Sequence, residues 1–524
     1  MTNNTKNAVV SACLRILTLT LCSSLLLSCD APKSVTPATF DHAADPLPFA
    51  RPALKAQTIL PNAPPLSEEA KKRLDLRRAF FAGDFAVLDP AVNQAHQRYV
   101  QGAVKKNESQ SLFDSLEATQ LAGIDICKDW IAAKPESYGA HLVCAAIWHN
   151  GAWVARSGEF SDKVTPVRFA MMRERLQRSD QLLHKAIGLS PKPVEALTLL
   201  AANRFLAGDK ILFTESLDKA EQMMPGDLQV HETRMVYSLP EWGGSPAKIL
   251  ALMDRAKEKG VNEEDLLYLR DTYVARPHKS STPGAERAYW EQAIAEKPTR
   301  ARMHALSGYF ERVQNWRDSV PATSRFIERF PDSAAAYQMR ATANEKLGNI
   351  PAALSDYRTA AALGNNFATQ SLIQAYVQGG MGLPAKNWTE LEQVCRYGAA
   401  LGSTAAANCM GSMFWEGGKI GPPFRTDIPQ AFAWHLFAAR SGYHNSQYDL
   451  GWLMLSGRAP GVTAEQAQTN GMFWLRRAAE QDHQYAKQKL REGGHPESEV
   501  VDEEAGGVLG RIKPILNAIL RAIQ

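Results

Sequence analysis

The sequence predicts an all-α fold, a solenoid of stacked helix pairs entered through an irregular helical N-terminal domain, and three observations carry that expectation. Leu401-Gly402-Ser403, Ser441-Gly442-Tyr443 and Gln481-Asp482-His483 stand 40 residues apart, each after a helical run: Tyr397-Gly398-Ala399-Ala400, Phe437-Ala438-Ala439-Arg440 and Arg477-Ala478-Ala479-Glu480. A second series keeps step, with Leu372, Met410 and Leu450, then Gly379, Gly417 and Gly457, recurring at intervals of 38 and 40. Pro225, Pro298 and Pro331 punctuate upstream helices, which proline cannot continue. A fixed period of this size describes helix pairs that cannot bury their apolar stripes alone and must stack on one another.

In chain order, residues 1–28 read as a targeting segment. Lys6 and Arg15 precede the apolar stretch Ile16 to Leu27, and Leu26-Leu27-Ser28-Cys29 resembles the lipobox of bacterial lipoproteins. That resemblance implies lipidation at Cys29 and a membrane lipoprotein facing the periplasm, with inner and outer membrane both open. The apolar run is shorter than the ~20 residues that a bilayer core needs, which argues against a membrane span. Residues 29–66 carry Pro32, Pro37, Pro46, Pro48, Pro52, Pro61, Pro64 and Pro65 and few large apolar residues, the composition of a disordered tether. A flexible chain of that length spans roughly 30 to 35 Å.

Residues 67–330 form the expected irregular helical domain, with 193–225 reading as one tetratricopeptide-like unit. Ala152-Trp153-Val154-Ala155-Arg156, Leu182-Leu183-His184-Lys185-Ala186-Ile187 and Leu239-Pro240-Glu241-Trp242-Gly243-Gly244-Ser245 resemble segments of a bacterial domain of unknown function, number 4034 of that kind. Ser157 stands where that pattern has glycine, and Glu241 where arginine is common. The family has no activity to carry over. Residues 331–364 resemble a tetratricopeptide repeat through Ala341, Gly348, Ala353, Tyr357 and Ala360. Residues 365–492 resemble Sel-1-like repeats: 446–457 look like the first helix of that family, 427–442 like its second, and Gly379-Gly380-Met381-Gly382 like its longer turn. A linker, 493–507, leads to an amphipathic helix over 508–524, with Val508, Leu509, Ile512, Ile515, Leu516, Ile519, Leu520 and Ile523 on one face. Two readings of it stand: a membrane-surface or partner-binding segment, and a cap over the last repeat.

Charge argues against nucleic acid as a partner. The chain carries 59 basic and 55 acidic residues, a net +4, and the stretch before Cys29 holds two of the bases and no acid, leaving a mature net of +2. Without a concentrated basic stripe, the counterion release that dominates nucleic-acid affinity is missing. There is no His-Glu-x-x-His pair, phosphate loop, nucleophile elbow or Cys-x-x-Cys, so no catalytic residue, metal site or cofactor is expected. His141 and His149 lie two turns apart on one helix and read as satisfied or surface histidines. The Pro240–Ser245 segment reads first as a turn packed by Trp242, and second as an unrecognised site.

Beyond Cys29 the mature region has four cysteines. Cys127 and Cys144 are placed symmetrically about the turn near Pro135, and Cys395 and Cys409 about Gly402, so each pair sits at one height across a helix hairpin. The two readings are a disulfide across each hairpin and a small core side chain, and the sequence favours the second. Sel-1-like relatives do carry disulfides, at other repeat positions.

The repeats imply a scaffold or adaptor that holds an envelope protein or peptide in a groove. By resemblance to tetratricopeptide concave positions, the candidate groove comprises Gln338, Thr342 and Glu345, then Gln370 and Gln374, then Asn408, Ser412, Trp415 and Glu416, then Asn445, Tyr448, Trp452 and Leu455. Tyr448 and Trp452 share a helix face turned away from Leu450 and Met454, so they read as free to meet a ligand. Two other classes stay open: an inhibitor or immunity protein against a secreted toxin, and an enzyme whose Trp242 segment converges with polar residues around Arg156.

Overall fold

A computed structural model describes residues 60, 63–102, 123–156, 164, 166–277, 284–383, 387–420, 425–481 and 483–493. Cys29, nearly all of the tether, the linker beyond 493 and the helix expected over 508–524 lie outside the described residues. Among the described residues the fold is helical throughout, and the helix-pair solenoid expected from the sequence is what forms. Two compact units divide at Cys409–Met410, within one helix and away from the boundaries at 330, 364 and 492 read from sequence.

The first unit holds α1 (Glu68–Ala82), α2 (Phe85–Val100), α3 (Gly123–Ala133), α4 (Tyr138–Arg156), α5 (Pro166–Leu189), α6 (Val194–Leu206), α7 (Lys210–Met223), α8 (Leu228–Val236), α9 (Pro246–Glu258) and α10 (Glu263–Leu269). It continues through α11 (Ala285–Glu296), α12 (Arg300–Arg312), α13 (Trp316–Arg329), α14 (Ala334–Lys346), α15 (Ile350–Ala362), α16 (Asn366–Gln378), α17 (Trp388–Ala400) and the start of α18 (Thr404–Ile420). Short turns punctuated by caps make neighbours antiparallel: Asn365 Oδ1 accepts from Ala368 N at 2.9 Å at the start of α16, and Gly364 just before it holds φ +85°.

Both cysteine pairs are bridged, which corrects the favoured expectation. Cys127–Cys144 joins α3 to α4 with Cα atoms 5.6 Å apart, and Cys395–Cys409 joins α17 to α18 at 6.0 Å. All four side chains are also buried. The two roles were never exclusive, because equal height across a tightly packed hairpin brings buried side chains face to face.

One feature of the first unit departs from nearest-neighbour stacking. Helix α1 packs along turns of the repeats some 260 to 320 residues further on. Arg73 pairs with Asp332 at 3.0 Å, where Arg300 also binds at 2.6 Å, and the Arg78 guanidinium lies 5.2 Å over the Tyr397 ring. Leu74 touches Gly364, and Phe81 lies so close on Gly402 that any Cβ there would overlap its ring. Nothing in the periodicity foretells this contact.

The second unit is the rest of α18 with α19 (Ile428–Arg440), α20 (His444–Leu455), α21 (Ala464–Glu480) and α22 (Gln484–Glu492). Phe432, Leu436, Leu450, Leu453, Met454 and Trp474 form its core, and Leu475, Ala478, Ala486 and Leu490 a second layer. Glycine is required where α20 meets α21: a Cβ on Gly451 would stand 2.8 Å from the Gly471 carbonyl oxygen.

Candidate functional site

On α14 the expected groove residues turn inward. Gln338 is buried, and its Nε2 donates to Thr342 Oγ1 at 3.1 Å. Tyr357 on α15 donates its hydroxyl to Glu345 Oε2 at 2.7 Å and stands 3.4 Å from Thr342 Oγ1. Burial, and then the Glu345 hydrogen bond, push the Tyr357 phenol well above its ordinary range, so it remains a donor. Gln338 therefore does not offer itself to a ligand, because it is buried and its amide is held by Thr342 of the same helix.

Helix α16 presents the open face. Gln370 and Gln374 are exposed. Phe367 and Val377, 44% and 45% exposed, extend the same stripe at spacings of three, four and three residues. Sequence reasoning named the glutamines and missed the apolar pair, although the spacing was there to be read. Asn408, on the first-unit part of α18, is half-buried.

In the second unit Ser412 and Asn445 are half-buried, and Glu416 and Leu455 are exposed, with Leu455 lying against Gly471. Trp415 packs against the core and edge-on to His435 at 5.9 Å, and its ring is 5.3 Å from that of Trp452, over which Arg458 lies at 5.4 Å. Tyr448 overturns its expectation. It packs on the Leu475–Leu490 layer and stacks on His483 at 4.7 Å, with Tyr485 at 6.2 Å. A face turned away from one repeat's core is the face that the next repeat covers.

Beside the tryptophans lies an electrostatic pair. Asp449 Oδ2 is 3.7 Å from Nδ1 of the fully buried His435, and Ser446 Oγ lies 3.4 Å from that nitrogen. Burial, and then the charge of Glu416, push the Asp449 carboxyl up to about 7. Burial alone drives His435 down to about 3, so the imidazole is neutral and gives the carboxylate no cation.

In the N-terminal region the Pro240–Ser245 segment is a short 3-10 turn whose Trp242 joins Trp153, Phe205 and Tyr237 with ring centroids 5.7 to 6.0 Å away. The Arg156 guanidinium sits 5.7 Å over Trp153, so the two segments named for an enzyme reading do meet, in an aromatic cluster. His141 Nδ1 is 2.8 Å from Ser137 O, and His149 Nδ1 is 2.6 Å from Asn203 Oδ1. Among the described residues no group of His, Cys, Asp or Glu is placed to hold a metal, and no helix is long and apolar enough to cross a membrane.

Residues 72–209 match a family described as a domain of unknown function, DUF4034, a shorter stretch than the resemblance over 67–330 anticipated. No curated protein matches the chain. Among solved structures, a Sel1 repeat protein from Oxalobacter formigenes is similar at 17% identity over 67% of this chain and 86% of its own, with a TM-score of 0.35. The Cut9–Hcn1 hetero-tetramer of the APC/C aligns at 11% identity over 77% of this chain and 95% of that one, TM-score 0.27. The human IFIT1 dimer with PPP-AAAA aligns at 12% over 82% and 96%, TM-score 0.27. At these scores the alignments assign neither a fold nor a ligand.

Proposed function

We propose that this chain is a membrane-anchored scaffold facing the periplasm, tethered through lipidated Cys29, that binds an envelope protein or peptide along exposed faces of its helix pairs. The observation that carries the reading is the α16 stripe, where the large apolar side chains Phe367 and Val377 stay exposed beside Gln370 and Gln374. Apolar anchors ringed by amides suit a partner whose backbone and side chains need both kinds of contact. A photo-crosslinking residue at position 374 in cells is expected to trap one discrete partner. The same residue at the exposed Glu258 position should trap none, and Phe367→Ser with Val377→Ser should abolish the adduct. Equal trapping at 374 and 258 overturns the reading. Cys29→Ala should move the protein from the membrane to the soluble or unprocessed fraction, and a fully processed membrane form of that variant overturns the anchor.

A further inference from the structure

Four polar side chains from distant parts of the 72–209 segment meet in the first unit, away from α16. His96 on α2 is buried, with Nε2 2.8 Å from Ser190 Oγ and Nδ1 3.1 Å from Glu195 Oε1. Glu195 is buried in the first turn of α6. Its other oxygen accepts from the Tyr138 hydroxyl at 3.1 Å, and the Tyr138 ring stacks on His96 with centroids 3.8 Å apart. Burial and the Glu195 charge raise the Tyr138 phenol, which keeps it a donor. The order matters: the acid and the imidazole are inside, and the hydroxyl stands half-buried in a turn flanked by exposed Pro191 and Lys192.

A neutral imidazole that gives its Nδ1 proton to Glu195 must turn a lone pair on Nε2 toward Ser190, the connectivity that activates a serine nucleophile. We propose that Ser190, His96 and Glu195 form a hydrolytic triad that accepts activated carboxylic esters. Ser190 Oγ bonds to the ester carbonyl carbon as its proton passes to His96 Nε2. The carbon–oxygen bond to the leaving group then breaks and the imidazolium returns that proton to it. Water, deprotonated by the same nitrogen, cleaves the acyl-serine to the acid and regenerates the hydroxyl. The substrate class follows from the turn. Pro191 and Pro193 have no N–H, that of Lys192 donates to Ser190 Oγ at 3.2 Å, and that of Val194 to Lys192 O at 2.9 Å. Residues 191–194 thus leave no N–H for a developing oxyanion, which favours a leaving group that needs little help.

The same contacts serve a purely structural link between α2 and the α5–α6 turn, and covalent reactivity separates the two. A fluorophosphonate probe added to the folded protein, read by intact and peptide mass spectrometry, should leave one adduct, on Ser190. Its rate should fall as pH drops through the imidazole range, and should drop at least about 100-fold in His96→Asn and in Glu195→Gln. Should one of those variants fail to fold, the other and the wild-type pH profile carry the test. Ser190→Ala should lose the adduct while keeping the wild-type melting temperature within a few degrees and the crosslink at position 374. The activity is thus distinct from scaffold binding. No adduct on Ser190, or a rate indifferent to pH and to both variants, overturns the triad.

Discussion

The turns at Gly402 and Gly442 hold the same place in the repeat and the same glycine backbone, yet they live in different surroundings. Each ends a helix with a left-handed glycine, φ +76° and +87°, at the point where the 40-residue repeat begins again. Gly442 faces open space, whereas Gly402 is roofed by Phe81 of α1. A repeat motif thus dictates local conformation but not what a repeat unit touches. The first unit adds a long-range helix and two disulfides to the stacking plan, while the second has no cysteine and holds together by packing and glycine-permitted close approach.

The largest expected effect exploits the cysteines. Replacing Cys395 and Cys409 with alanine should cost the first unit about 3 kcal/mol, the value for a closed loop of this size. Hydrogen exchange should record lost protection in α17 and none in α21, and equal loss in both would erase the distinction between the units. Next comes the pair of turns. Gly442→Ala should cost about 1 kcal/mol for its left-handed backbone alone. Gly402→Ala should cost about 1 to 3 kcal/mol more, because the new methyl group meets the Phe81 ring. In a Phe81→Ala background, denaturant titration should bring the two costs together, and a persistent gap would deny the contact.

The smallest effect is a pH dependence of the second unit. With its carboxyl near 7 against an ordinary 3.8, folded Asp449 keeps a proton that the unfolded chain has released, so stability falls as pH rises from about 4 to 7. His435 acts in the opposite sense: neutral in the fold down to about 3, against an ordinary 6.5, it costs stability as pH falls from about 6.5 to 3. The two slopes offset between about 4 and 6.5. Asp449→Asn should unmask the histidine, and the melting temperature should drop more between pH 6.5 and 4.5 than in the wild type. Matching slopes would show that the two groups do not titrate in this way.

Much of the architecture was legible because helix periodicity, alanine at close-packed positions and glycine at turns are local demands. Leu450 and Met454, read as the packed side of their helix, are buried. The candidate surface was harder to read, for a physical reason: on one helix, a position facing a ligand and one facing the next repeat share the same spacing. Tyr448 was claimed by His483 and α22, and Gln338 by Thr342 of its own helix, while Phe367 and Val377 remained exposed. The Ser190–His96–Glu195 alignment joins residues up to 99 positions apart without a motif, so nothing in the linear order announced it.

Helix α1 has a consequence for how the chain is made. In a pure repeat array each unit depends only on its neighbours, and structure can grow outward as chain emerges. Here the first of the described helices must wait for surfaces formed by residues 332 to 402 before its apolar side finds cover. Contacts of such sequence separation are slow to close. Helix α1 is therefore the last part of the first unit to settle, so a chain halted before residue 364 would leave both Leu74 and Phe81 without their partners.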